Sequence, residues 1–363
     1  TGSWTFGSPS VLMMFHRRSG TLDAELAAMN ECMPHYYRIT QGHGQGAELL
    51  MNAEAAFMQG NFSDAQILLE QTYSTIASNG QHNISLCCDF LAARLSLFQE
   101  SVTFVKNPEV KRKELLSLHN MMWLNIFDST YAYYYALIKM PEKIPALFKD
   151  HMLSTVSFLS PCRPMMEMIE NQVFLSQKMY AKVIGRSETL LPFCEKMHYE
   201  LVSLHVQIQT ASAYTMLGKH HDARQLLQKA LGHAMPDGFL IPFVENYNYI
   251  KDVLGSINSI TPEPFTDRIL SLGSVYEQHC LRLSSRNSRP EILNMLNSRE
   301  AEIAALITDR LSNREIAERL FLSEGTVKQY INQIYSKLMI NGDTRTKRKQ
   351  LAELISSINK GLT

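Results

Sequence analysis

Along most of the chain, apolar positions recur three and four residues apart, the period of a helix with one buried face. In "AEAAFMQGNFSDAQILLEQTYSTIA" the small residues Ala53 and Ala56 precede Gly60, and Phe62, Ala65 and Leu69 follow it. "QTASAYTMLGKHHDARQLLQKALGHA" repeats the order with Ala211, Tyr214, Gly218, His220, Ala223, Leu227 and Ala230. A small residue, a glycine at the turn and an alanine beyond it let two antiparallel helices approach closely, as in tetratricopeptide-type arrays with a period of about 34 residues. "FLSQKMYAKVIGRSETLLPF" keeps this register more loosely, with Tyr180 at the aromatic position and Lys178 where the turn glycine would stand. "SPSVLMMF" is the one stretch that could be extended, or could equally pack as irregular chain. Prolines in "MPEKIPALF" and "SPCRPM" break the helical pattern and would divide the array near residue 160. "SSRNSRP", Ser284 to Pro290, is polar and ends in proline, which suggests a linker. The pattern thus predicts an all-α chain: a tetratricopeptide-like helical-repeat array over 1–283, a linker over 284–290, and a second domain over 291–363.

The second domain carries the sharper pattern. Asn297 with Glu300, and Ser312 with Glu315, form two capping boxes, each starting a helix. Ile303, Ala304, Ile307 and Leu311 share one face of the first helix; Ile316, Ala317 and Leu320 share one face of the second. After a three-residue pinch, Phe321-Leu322-Ser323, Ser323 caps a third helix striped by Val327, Ile331, Ile334 and Leu338. A helix of about eight residues is too short to stand alone in water, so the second and third must support each other. Opposite the third helix's stripe lie Lys328, Gln329, Asn332, Gln333 and Ser336. Lysine can donate to guanine O6/N7, and Asn and Gln can pair bidentately with adenine. Ser323, Thr326 and the backbone amides at the helix start are placed for phosphates. A generic solvated face is the alternative, but a short helix, a pinch and a longer helix form helix-turn-helix geometry with the second of the pair as reader.

"LNSREAEIAALITDRLSNREIAERLFLSEGTVKQYINQIYSKL" closely resembles the LuxR-type helix-turn-helix domain over about 50 residues. Arg299-Glu300, Ser312-Asn313, Glu315-Ile316-Ala317, Leu320, Ser323, Thr326-Val327-Lys328 and Lys337-Leu338 match its pattern. The resemblance implies a four-helix domain in which Lys328, Gln329 and Asn332 face bases; Gln333 on the same face is expected to read bases too, and Ser323, Thr326, Asn313, Tyr330 and Lys337 are expected at the phosphate backbone. Tyr330 stands where histidine is usual, Leu311 replaces a common glycine, and Gly325 loosens the first turn of the reader. The helix from about Thr344 resembles the family's dimerisation helix and starts with a basic run, "RTKRK", open to phosphates or to solvent. Upstream, "LLQKALGHAMPDGFLIPFVENYNYI" is similar to the segment preceding this domain in large ATP-binding, maltose-regulator-like members, through Ala230-Leu231, Ala234, Gly238-Phe239, Pro242-Phe243 and Glu245. In that group the repeats bind an inducer and an ATPase domain precedes them. The resemblance implies a homodimer on double-stranded DNA, with a small-molecule inducer or a protein partner in the repeats.

Charge agrees with this division. Lys and Arg balance Asp and Glu at 35 each over the chain, yet Leu296 to Lys349 holds 10 basic against 7 acidic residues, so the body is mildly acidic. No apolar run reaches the ~18 residues of a membrane span, and "TGSWTFGSPS" has no signal-peptide pattern. With no methionine at its start, the chain is expected to be the C-terminal piece of a longer protein. Six scattered cysteines without zinc spacing are expected as free thiols in a reducing cytoplasm. The histidines, His220-His221 in a turn-like stretch included, form no metal pattern. No G-x-x-x-x-G-K-[ST] is present, and "GHGQG", Gly42 to Gly46, follows no strand, so a flexible helix lead-in is expected there rather than a phosphate site. No catalytic motif, metal or cofactor is expected. Met clusters ("VLMMF", "NMMWL", "RPMMEM") and Tyr131, Tyr133, Tyr134 and Tyr135 suit a core or an adaptable pocket. The expected function is a sequence-specific DNA-binding transcription regulator, leaning by resemblance toward activation. The alternative is a repeat scaffold with a helix-turn-helix that reads nothing.

Overall fold

A computed structural model of the chain describes residues 7–77, 80–99, 101–102, 108–158, 161–287, 296–309, 311–340 and 342–360. Among them are nineteen α-helices and no strand. Two compact units divide the chain, Thr1–Leu281 and Arg282–Thr363.

In the first unit a short helix, α1 (Val11–Phe15), leads into α2 (Leu22–Ile39), α3 (Ala47–Met58), α4 (Phe62–Ile76), α5 (His82–Leu95), α6 (Pro108–Ser117) and α7 (Met121–Leu137). Then follow α8 (Ala146–Lys149), α9 (Arg163–Ser176), α10 (Tyr180–Met197), α11 (Glu200–Met216), α12 (His220–Ala234), α13 (Ile241–Glu245), α14 (Tyr247–Ile260) and α15 (Pro264–Asn287), which runs past the division at Leu281. Sequential neighbours pack as hairpins, α3 on α4, α10 on α11 and α11 on α12, while α3, α5, α7, α9 and α11 also pack on one another in succession. The result is two layers. The inner row is buried almost throughout α5, α9 and α11, whereas α4, α10 and α12 bury a single stripe, as with Ala223, Leu227 and Ala230 of α12.

The small residues act as their spacing requires: Ala53, Ala65, Ala211, Ala223 and Ala230 are fully buried. Gly60 and Gly218 turn the chain at φ 79° and 73°, and Lys178 takes the same left-handed conformation at φ 61°. Between α7 and α9, Pro141 opens a 3-10 turn and Pro145 precedes the four-residue α8, with a second 3-10 turn at Leu153–Thr155, yet α7 packs directly on α9.

Local pattern misreads several stretches. In "SPSVLMMF" the first three residues are irregular chain, with Ser10 extended, but the last five form α1, capped by Ser10 Oγ accepting the Met13 N–H at 3.2 Å, and Val11 to Met13 are at most 1% exposed. His220 and His221 open α12 rather than a turn. The "GHGQG" loop is held, not free, by Gln81, whose amide donates to the Gly42 carbonyl at 2.8 Å and accepts the Gly44 N–H at 3.0 Å. Residues 284–287 continue α15, and 288–290 lie outside the described residues.

Long-range polar links join the two ends of this unit. Arg94 of α5 donates to Glu245 of α13 at 2.8 and 3.1 Å, and Tyr133 of α7 donates to the same carboxylate at 2.8 Å. The Arg94 guanidinium lies over the rings of Phe57, Phe90 and Tyr133. Asp237, after α12, accepts the N–H groups of Gly20 and Leu22 at 2.6 and 3.0 Å, satisfying the start of α2. No helix among the described residues is long and apolar enough to cross a membrane.

Candidate nucleic-acid interface

The second unit holds α16 (Ser298–Thr308), α17 (Asn313–Leu320), α18 (Glu324–Lys337) and α19 (Thr344–Lys360). Each of the first three begins on its expected cap. Asn297 Oδ1 accepts the Glu300 N–H at 2.8 Å while Glu300 Oε2 accepts the Asn297 N–H at 2.7 Å. Ser312 and Glu315 make the same exchange at 3.3 and 2.7 Å. Ser323 Oγ accepts the Thr326 N–H at 3.0 Å and pairs with the Thr326 hydroxyl at 2.8 Å.

Between α17 and α18 the chain turns on Phe321, which is left-handed at φ 55° and 95% exposed. The Leu322 N–H then returns to the Ala317 carbonyl at 2.9 Å, closing α17. Arg299, from the start of α16, donates to the Leu320 carbonyl at 2.7 Å and so holds this turn from a third element. Beneath lies one core: Ile303, Ala304, Ile307, Ile316, Ala317, Leu320, Val327, Ile331, Ile334 and Leu338 are buried with Leu351 and Ile355 of α19, and Leu311 packs at its edge.

With that stripe turned inward, the opposite face of α18 is presented to solvent. Lys328, Gln329, Asn332, Gln333 and Ser336 are all exposed, and none of the four longer side chains makes a hydrogen bond among the described residues. Ser323 is exposed and Thr326 half-buried at the helix start. This face combines one ammonium and three amides, the donors and acceptors suited to base edges, above a helix N-terminus suited to phosphate.

Three other residues expected at phosphates have partners inside the protein. Lys337 Nζ lies 2.7 Å from Glu300 Oε2, whose side chain is 1% exposed, and so ties α18 to α16. Burial acts to raise the Glu300 carboxyl, but the Lys337 ammonium and the Asn297 N–H outweigh it and hold it below the usual carboxylate range. Asn313 Oδ1 accepts from Arg348 Nη1 at 2.7 Å, and Arg348 Nη2 donates to the Leu311 carbonyl. Arg348, in the basic run of α19, thus fastens that helix to the start of α17. Tyr330 is half-buried against the core. Sequence reading missed the Arg299, Lys337 and Arg348 links: each residue sits in a quoted pattern, but its partner lies on another element.

A compact core carrying a short helix, a tight left-handed turn and an outward-facing longer helix defines the helix-turn-helix class. Residues 294–348 match the family model described as bacterial regulatory proteins, luxR family. The transcriptional regulatory protein LnrK of Bacillus subtilis (strain 168) is 42% identical over 110 residues, covering 30% of this chain and 49% of its own length. The transcriptional regulatory protein DegU of Brevibacillus brevis is 43% identical over 53 residues, 15% of this chain and 22% of its own. The DNA-binding transcriptional activator DevR/DosR of Mycobacterium tuberculosis (strain ATCC 25618 / H37Rv) is 33% identical over 57 residues, 16% of this chain and 26% of its own. The chain thus spans half or less of the length of these curated relatives. No solved structure matches it. The C-terminal unit of this chain is a LuxR-family helix-turn-helix domain.

Proposed function

We propose that the chain is a cytoplasmic transcription regulator that binds double-stranded DNA through α18. The observation carrying this reading is the outward face of that helix, where Lys328, Gln329, Asn332 and Gln333 are exposed and unpartnered opposite a fully buried stripe. Ser323 and Thr326 place the helix N-terminus for a phosphate, and Tyr330 lies beside it. Lys337 and Asn313 act chiefly inside the protein in this reading. The domain binds as a homodimer to two half-sites about one helical turn apart. DevR/DosR, by its name an activator, supports activation as the outcome. The helical array, likened over Ala230 to Glu245 to the segment preceding this domain in large ATP-binding regulators, senses a ligand or mediates oligomerisation, without catalysis of its own.

Selection of binding sites from random duplex DNA tests this reading with the whole chain. Enrichment of a repeated or inverted half-site is expected, with affinity falling against salt at a log–log slope of about −0.9 per phosphate neutralised. No enrichment at low salt would leave the domain without a reading function and favour a protein-binding scaffold.

A further inference from the structure

The inside of the helical array is not empty. Residues 7–14 are all buried, and α1 packs at once on α3 and on α11, the first and last helices of the inner row. A five-residue helix has no stability of its own; Ser10 caps it from within, and the array supplies further partners. Glu54 of α3 accepts the Leu12 N–H at 2.6 Å, and Cys87 of α5 donates through Sγ to the Ser8 carbonyl at 2.9 Å. His16 ends the segment between two carboxylates, Nδ1 at 2.7 Å from Glu25 and Nε2 at 3.6 Å from Asp237. Beyond it Arg17 and Arg18 are exposed. An apolar stretch held by side chains of other helices, and followed by an exposed pair, is arranged as a bound peptide is.

We propose that the inside of the array is a segment-binding site, occupied in this chain by its own residues 8–16, which act as a releasable strap latched by Glu54 across the two ends of the inner row. The site takes an apolar linear segment of one helical turn: Val11, Leu12, Met13 and Met14 fill the interior, and the first free N–H groups of the turn meet Glu54. The ionisable or polar groups facing Glu54 are Ser10 on the strap and, on α5, Arg94 with its partner Glu245 beyond, together with the thiols of Cys87 and Cys88. Burial of the carboxyl raises it from 4.5 to about 7, against the lowering effect of the Leu12 N–H, Ser10 and Arg94. The docked carboxyl therefore keeps a proton that a solvated one releases, so docking weakens as pH climbs through that interval and levels off above it.

Hydrogen exchange of the full chain at pH 5 and pH 7.5, corrected for intrinsic rates, tests the strap against the simpler possibility of an ordinary core element. At pH 7.5 the amides of residues 12–15 are expected to exchange at least tenfold faster than those of α5 and α11, with the gap narrowing at pH 5. Glu54→Gln should remove the pH dependence, and Met13→Ala should speed exchange of α1 while α5 and α11 keep their rates. If α1, α5 and α11 exchange together at both pH values, and Met13→Ala accelerates all three alike, residues 8–16 are core and the strap is overturned. A gap equal at both pH values overturns Glu54 as the latch.

Discussion

At the residue scale, single backbone conformations decide where turns tolerate substitution. Lys178 and Gly218 occupy equivalent turns with φ near 60–75°, but only glycine adopts this region without steric strain. Lys178 is exposed, so Lys178→Gly is expected to stabilise the chain by about 1 kcal/mol in urea unfolding. On α18 the expectation is one of specificity. Asn332 is exposed and unpartnered, so its removal disturbs no packing; Asn332→Ala should lose ~1–3 kcal/mol of discrimination at one base position while thermal stability stays constant. Unchanged base preference in that variant, measured by competition between half-site variants, would count against α18 as the reader.

At the element scale, helices are joined by contacts that their own periods do not show. Lys337 of α18 neutralises the buried Glu300 of α16. Because Glu300 sits below its ordinary value when folded, its contribution is present at neutral pH and is lost as pH falls through the carboxylate range. Lys337→Met is expected to cost about 1–3 kcal/mol at neutral pH and to shift acid unfolding of this unit to higher pH; circular dichroism against pH measures both. Between α14 and α15, Gly273 packs against Tyr247 with no room for a side chain: an added Cβ would lie 2.3 Å from the Tyr247 ring. Gly273→Ala should therefore destabilise by about 1–3 kcal/mol through overpacking. A neutral result in thermal unfolding would show that the two helices can part at no cost.

At the scale of the whole array, one buried charge cluster joins distant segments. Arg94 and Glu245 are 151 residues apart, and Tyr133 shares the carboxylate. Glu245→Ala leaves Arg94 buried without its partner, for which the expected loss is about 3–5 kcal/mol. Equilibrium unfolding in urea measures that loss. Arg94→Met with Glu245→Leu should restore part of the stability, because no unpaired charge is then buried, although the Tyr133 hydroxyl loses its acceptor.

The C-terminal domain was legible in the sequence to the level of individual caps and faces. Most of its determinants are local: a capping box spans four residues and a stripe repeats every three or four, although the left-handed turn at Phe321 is also held by Arg299 of α16. Asn297, Ser312 and Ser323 cap as the pattern requires, and Val327, Ile331 and Ile334 turn inward. The sequence by itself therefore determined the all-α class, the helix-turn-helix and the amide-rich face of α18. Tertiary structure alone decided which expected phosphate contacts were already engaged, as Lys337 is by Glu300 and Asn313 by Arg348. It also decided that residues 11–15 form a buried helix and that Asp237 caps α2. In each case the partner is remote in the chain, and no periodicity records which remote group will satisfy a buried one. Local order follows from spacing, but partnership follows from packing.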